Sequence, residues 1–177
     1  MKVFGVAGWS GSGKTTLVIR LIPALISRGV TVSTMKHAHH GFDVDRPGKD
    51  SYEHRQAGAT EVMVTSGRRW ALMRDLRGEA EPSLAELMSR MTPVDLLLIE
   101  GFKRQSHDKL EVHRPALGKP LLCHEDERIV AVASDAPIAE FAGRAIALPR
   151  LDLNDVDAIA AFILRHSSLG AGTQGVA

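Results

Sequence analysis

The sequence predicts an α/β protein of three layers, with a mostly parallel central sheet and an additional β-hairpin. Three observations carry this expectation. A short apolar segment, Lys2 to Ala7, runs into a glycine-rich turn and then a helical pattern. Strand and helix patterns go on alternating, as they do where crossover helices join parallel strands. Val94 to Ile99 is almost continuously apolar, the pattern of a strand covered on both faces.

Taken in order, Leu17, Leu21 and Leu25 mark one side of a helix over Lys14 to Ser27, in which Pro23 should cause a kink or a lost hydrogen bond. Gly29 stops it, and Val30 to Met35 is a second strand. A polar segment follows, Lys36 to Asp50, then a short helix over Ser51 to Ala57. Glu61 to Thr65 and Trp70 to Arg74 alternate about Ser66-Gly67, which gives the hairpin. Ser83 with Glu86 three residues on is a capping-box start for a helix from Leu84 to Met91. Further strands are expected at Leu110 to His113, Ile129 to Ala133 and Ala145 to Leu148, and Asn154 or Asp155 caps a last helix, Val156 to His166. With 177 residues and neither repeat nor linker, one folded domain over 1–166 is expected, and the small polar stretch 167–177 is expected to be disordered.

Composition narrows the function classes. A chain 44% hydrophobic and 24% charged is an ordinary globular sequence. Its net charge of +1 supplies no global field toward nucleic acid or anionic lipid. No apolar run approaches the ~18 residues of a membrane span, and the N-terminus reads as a strand rather than a signal peptide. The single Cys123 excludes an intramolecular disulfide and fits a cytoplasmic location. The expectation is therefore no nucleic-acid partner and no membrane, with the partner to be argued from sites.

Gly8-Trp9-Ser10-Gly11-Ser12-Gly13-Lys14-Thr15 meets every fixed position of G-x-x-x-x-G-K-[ST], between an expected strand and an expected helix. Glycines let backbone N–H groups converge on phosphate oxygens, and the helix N-terminus adds free donors and a favourable dipole. Lys14 should reach the β- and γ-phosphates and the Thr15 hydroxyl should coordinate Mg²⁺. The magnesium site also needs a carboxylate at the phosphate edge of a buried strand. Asp95 would lie at the far end of the 94–99 strand, roughly 15 Å away at the usual rise. Glu100, at the near end, is therefore the expected metal ligand or water-orienting group, and with Lys14 it forms the expected catalytic pair.

Lys36 to Asp50 should emerge on the same edge as the phosphate loop. His37, His39 and His40, followed by Asp43 and Asp45, have the donor types of a metal site. Lys36, His37, Arg46 and Lys49 equally suit a loop that grips phosphate or substrate, and a solvated polar loop is the third reading. Trp9 either covers phosphate, meets a second subunit or packs on its own loop. Arg68-Arg69-Trp70 has the look of a phosphate or nucleic-acid patch, but two arginines beside a hairpin turn more often form a solvated tip; the polar stretch Lys103 to Lys109 reads as a candidate switch segment.

Together these stretches resemble the family of molybdopterin-guanine dinucleotide biosynthesis protein B (MobB). The pieces that carry the resemblance are the loop from Gly8 through Thr16, the run Lys36 to Ser51, and Leu-Ile-Glu-Gly-Phe-Lys at 98–103. The resemblance spans residues 1 to about 165, and the second and third pieces make it specific. It implies a P-loop NTPase fold and a GTP-binding domain over 1–166. It also implies a homodimer that is at most a slow GTPase, acting as an adapter when GMP is added to molybdopterin. The implied cofactors are GTP and Mg²⁺. The implied partners are molybdopterin or molybdopterin guanine dinucleotide and a MobA-like molybdopterin nucleotidyltransferase. Lys36, His37, Asp43, Asp45 and Lys49 join Gly8–Thr16 as expected ligand contacts. Related GTPases carry an extra lysine early in the loop; Gly8 to Gly11 has none, so slow turnover is expected. The Asn-Lys-x-Asp guanine signature is also missing, and Asp135, after the strand ending at Ala133, is either the guanine-reading carboxylate or part of an ordinary turn. The rival classes are a small-molecule kinase, which needs an arginine-rich lid, and a metallochaperone GTPase built on His37, His39 and His40.

Overall fold

The computed structural model describes residues 1–38, 41–102, 105–138, 145 and 147–170. Its elements are β1 (Lys2–Ala7), α1 (Lys14–Ile26), β2 (Val32–Lys36), α2 (Asp50–Gln56), β3 (Glu61–Thr65), β4 (Trp70–Arg74), α3 (Leu84–Ser89), β5 (Leu96–Glu100), β6 (Lys109–His113), β7 (Ile129–Ser134), β8 (Arg150–Asp152) and α4 (Val156–His166). The chain divides into two compact units, Ala38–Met91 and the remainder on either side of it.

The larger unit is a six-stranded sheet in the order β2-β5-β1-β6-β7-β8. All its pairings are parallel. Alternation along each strand sorts the side chains. Phe4, Val6, Leu96, Leu98, Leu110, Val112, Ala131 and Ala133 pack on one face with Leu17, Leu21 and Leu25 of α1 and Ile159 and Ile163 of α4. That is the face the 3.6-residue spacing of α1 anticipates. The helix continues through Pro23 to Ile26, giving up one N–H at that position. Asp155, the second of the two expected caps, holds the Ala158 N–H at 2.9 Å and starts α4.

The opposite face of β6 is polar yet buried. Lys109 and Glu111 are fully covered and His113 nearly so. Burying such groups is costly unless they are paired, and they are. Lys109 Nζ donates to the Gln105 carbonyl at 2.7 Å and pairs with Asp126 at 3.0 Å. Glu111 accepts from the backbone N–H groups of Leu122 and Cys123 at 2.8 and 2.9 Å, which fixes the 3₁₀ turn Leu122–His124. Burial nonetheless pushes the Glu111 carboxyl above its ordinary pKa. His107 lies over Gly5, where a Cβ would come within 2.6 Å of its Nε2. Its two ring nitrogens are buried with no hydrogen-bond partner among the described residues. Desolvation, and then the Lys109 charge, lower its pKa from 6.5 to about 4.

One expected strand is displaced. Residue 146 of the expected strand Ala145 to Leu148 lies outside the described residues; Ala145 and Leu148 serve packing, joining Leu121, Cys123, Ile129 and Val132 in a second apolar cluster. Leu148 N–H bonds back to the Ala145 carbonyl at 3.1 Å, as in a turn. Pairing with β7 begins only after Pro149, which offers a carbonyl but no N–H to the ladder.

In the smaller unit, β3 and β4 form the expected hairpin, in register from Glu61↔Arg74 to Thr65↔Trp70. The capping box of Ser83 and Glu86 is present at α3. Polar contacts hold the segments of this unit: Arg55 pairs with Asp43 at 2.6 Å and Asp75 at 3.6 Å, and Arg77 donates to the carbonyls of Arg55, Gly58 and Ala59. The hairpin leaves Met63, Val64, Trp70 and Leu72 exposed. The stretch Arg68 to Arg77, where a kinase would need a lid, is the turn and second strand of this hairpin and the bend after it. Of the tail expected to be disordered, residues 171–177 lie outside the described residues.

Two predictions follow from the core. Leu21→Ala should destabilise the chain by about 3 kcal/mol in urea unfolding, the cost of a fully buried leucine; a loss below about 1 kcal/mol would contradict its central place. Because His107 is neutral when folded and protonates more readily when unfolded, stability should fall as the pH drops from 6.5 toward 4. His107→Leu should flatten that part of the pH profile, and an unchanged slope would show that other groups produce it.

Candidate nucleotide-binding site

The parallel register brings all six carboxyl strand ends to one edge, and residues just inside or beyond those of β1, β2, β5, β6 and β7 make the site. Val6 of β1 and Lys36 of β2 both lie opposite Glu100 of β5. The loop Gly8–Gly13 leaves β1 at this edge and turns into α1 at Lys14. Gly8 takes a φ of 149°, and a Cβ there would meet the Val112 carbonyl oxygen at 2.5 Å and Ser12 Oγ at 2.6 Å. No other residue fits so close to β6. Gly13, in the left-handed region, directs the chain into α1 with no side-chain cap. That leaves the first helical N–H groups to a ligand, as anion-binding helix termini do.

Three expected residues converge at the start of α1. Thr15 Oγ1 donates to Glu100 Oε1 at 2.6 Å. Lys36 Nζ lies 3.3 Å from both the same carboxylate oxygen and Thr15 Oγ1. The Glu100 side chain is only 11% exposed, so its charge acts with little screening. Asp95 is at the other end of β5, accepting from the Thr31 N–H at 2.9 Å and hydroxyl at 2.6 Å. The Thr31 hydrogen bonds hold its carboxyl below the ordinary range. Lys14 Nζ donates to the Trp9 carbonyl at 2.9 Å, so the lysine is folded into its own loop. Hard oxygen donors beside an uncapped helix terminus fit a magnesium–triphosphate group.

His37 follows β2 and packs its ring against Phe102 at a tilt of 51°, with ring centroids 4.7 Å apart. Its N–H bonds to the Glu100 carbonyl at 2.9 Å, and Gly101 passes so close that a Cβ would lie 3.1 Å from His37 Cβ. Asp43, Asp45 and Lys49 belong to the smaller unit. There Asp43 is held by Arg55, which keeps its carboxyl below the ordinary range, and Asp45 accepts from the Ser51 hydroxyl at 2.9 Å. His39 and His40 lie outside the described residues, as do residues 103–104 of the candidate switch segment. Among the described residues no cluster of three or more His, Cys, Asp or Glu is arranged to hold a metal ion.

The segment after β6 contains no expected site residue, yet it grips the glycine loop at two points. Arg114 Nε donates to the Ser12 carbonyl at 2.9 Å, and its guanidinium pairs with Asp135. Trp9 Nε1 donates to the Pro120 carbonyl at 2.7 Å, with the Lys119 ammonium 5.9 Å from the Trp9 ring centroid. The edge argument that singled out Asp135 applies equally to Arg114, the first residue beyond a parallel strand.

Known proteins resemble the chain in sequence and in fold. The family model described as molybdopterin guanine dinucleotide synthesis protein B matches residues 3–135. A "molybdopterin-guanine dinucleotide biosynthesis adapter protein" of Escherichia coli (strain K12) is 47% identical over 161 residues, 89% of each chain. The protein of the same name from Haemophilus influenzae is 41% identical over 162 residues, 91% of this chain and 86% of that one. A crystal structure of molybdopterin-guanine biosynthesis protein B superposes with a TM-score of 0.70 at 26% identity, covering 93% of this chain and 99% of its own. On the family match and these two relatives, the chain belongs to the MobB family.

Proposed function

We propose that the chain is a Mg²⁺-dependent GTP-binding adapter in molybdopterin guanine dinucleotide biosynthesis, working in the cytoplasm. The names of its relatives support the pathway and the adapter role. The observation that carries the nucleotide reading is the 2.6 Å contact between Thr15 and Glu100 beneath the glycine loop. It joins the hydroxyl and the carboxylate that a triphosphate-bound magnesium ion requires, on two elements far apart in sequence.

In this reading the N–H groups of the loop and of the first turn of α1 bind phosphate oxygens, with Lys14 leaving the Trp9 carbonyl to reach them. Thr15, Thr16 and Glu100 stand at the metal and phosphate end, and Lys36 offsets charge beside Glu100. Asp135 accepts from guanine. When bound, Mg²⁺ supplies charge neutralisation on the phosphates. Any hydrolysis is slow, because Gly8 to Gly11 contains no additional lysine. The ligands to be carried forward are molybdopterin or its guanine dinucleotide, and the partner a molybdopterin nucleotidyltransferase. The protein acts as a homodimer, supported by the exposed apolar hairpin residues Met63, Val64, Trp70 and Leu72. Met63, Leu72 and Trp70 share one face of the hairpin, and a monomer seldom leaves such side chains grouped in water.

Lys14→Ala removes two charge-assisted contacts and should weaken GTP binding at least about 100-fold in calorimetry; unchanged affinity would end the phosphate-loop reading. Competition among GTP, ATP and CTP then reads the base preference, with GTP expected to prevail. Trp70→Ser should shift sedimentation toward monomer, whereas an unaltered mass would remove the hairpin from the dimer surface.

A further inference from the structure

The guanidinium of Arg114 joins two parts of the site that a list of motifs keeps apart. Nε donates to the Ser12 carbonyl at 2.9 Å, inside the phosphate loop. The same side chain forms an ion pair with Asp135, just beyond β7. A Cβ on Gly13 would stand 3.3 Å from Arg114 Nη2, so the guanidinium packs against the residue that opens α1. A permanent positive charge therefore sits at the helix end that offers N–H groups to anions. Asp135 is its counter-charge. The two side chains are 36% and 25% exposed, covered enough for their mutual field to exceed that of a pair in open water.

We propose that Arg114 is a positioning residue that makes the grip of the phosphate loop depend on the base. It braces the loop through Ser12 and lends positive charge at Gly13, and Asp135 tempers that charge. A carboxylate has about four lone-pair sites, so Asp135 can accept from Arg114 and from a base together. Guanine presents adjacent N1–H and N2–H donors, which draw on the Asp135 charge and leave Arg114 less neutralised. Adenine presents an acceptor at N1 and offers no such pair of donors. Guanine at Asp135 thus strengthens phosphate binding, and by linkage phosphate binding strengthens the hold on guanine. This inference rests on the GTP reading above and names the residue that couples the two ends of the nucleotide.

The test is calorimetry with Mg²⁺ and three probes: inorganic tripolyphosphate, GTP and ATP. Arg114→Gln should weaken tripolyphosphate about 10-fold, and Arg114→Lys, which keeps the charge but not the planar fork, should restore part of the loss. Asp135→Asn should move tripolyphosphate the other way, strengthening it about threefold, while the preference for GTP over ATP is lost. A purely structural pair would have Arg114→Gln and Asp135→Asn weaken tripolyphosphate together, and that result overturns the inference, as does no change in either variant. Equal wild-type affinity for GTP and ATP sinks guanine reading and with it the base coupling, whereas tripolyphosphate still reports on the charge of Arg114. A wild type that binds neither nucleotide nor tripolyphosphate overturns the proposed function and this inference alike.

Discussion

The site depends on the register in which β5 is held between β1 and β2. Parallel pairing places Glu100 opposite Val6 on one side and Lys36 on the other. A shift of one residue would turn Glu100 to the other face of the sheet. In the observed register its carboxylate meets the Thr15 hydroxyl at the first turn of α1. The apolar run Leu96–Ile99, fully buried on both faces, fixes that register, because any slip would exchange leucines in the core for a carboxylate. Core packing and site chemistry are thus one constraint.

The segment after β6 supplies a second fastening. Glu111 holds the Leu122 and Cys123 N–H groups, and this ties down the chain that carries Arg114, Lys119 and Pro120. Arg114 and Pro120 in turn hold the Ser12 carbonyl and Trp9. The buried polar face of β6 therefore acts on the glycine loop through backbone and side-chain hydrogen bonds. A loop braced on two sides is already ordered before a ligand arrives, which lowers the entropic cost of binding.

Much of this was legible in the sequence, for physical reasons that differ from residue to residue. The glycine loop, α4 and the hairpin were read closely because spacing, caps and turn residues are local signals. Glu100 is separable from Asp95 because a strand has two ends and only one faces the glycine loop; the structure gives Asp95 a different task, bonding Thr31. The strand expected at Ala145 to Leu148 misled because short apolar alternation serves a packed turn as well as a ladder. Arg114 went unread because its partners, Ser12 and Asp135, are 102 and 21 residues away, and no local pattern announces them. The buried polar side of β6 was hidden likewise: Lys109, Glu111 and His113 look like the solvent face of an edge strand until the sheet order places β6 inside.

If Thr15 and Glu100 form the metal end of a triphosphate site, GTP binding should depend on Mg²⁺ through Glu100. That dependence is tested most directly by measuring GTP affinity in Mg²⁺ and in EDTA for the wild type and Glu100→Gln. Mg²⁺ should tighten GTP binding to the wild type about 10-fold and scarcely affect the variant, in keeping with the loss of one charged oxygen ligand. The same Mg²⁺ enhancement in both proteins would contradict that role of Glu100.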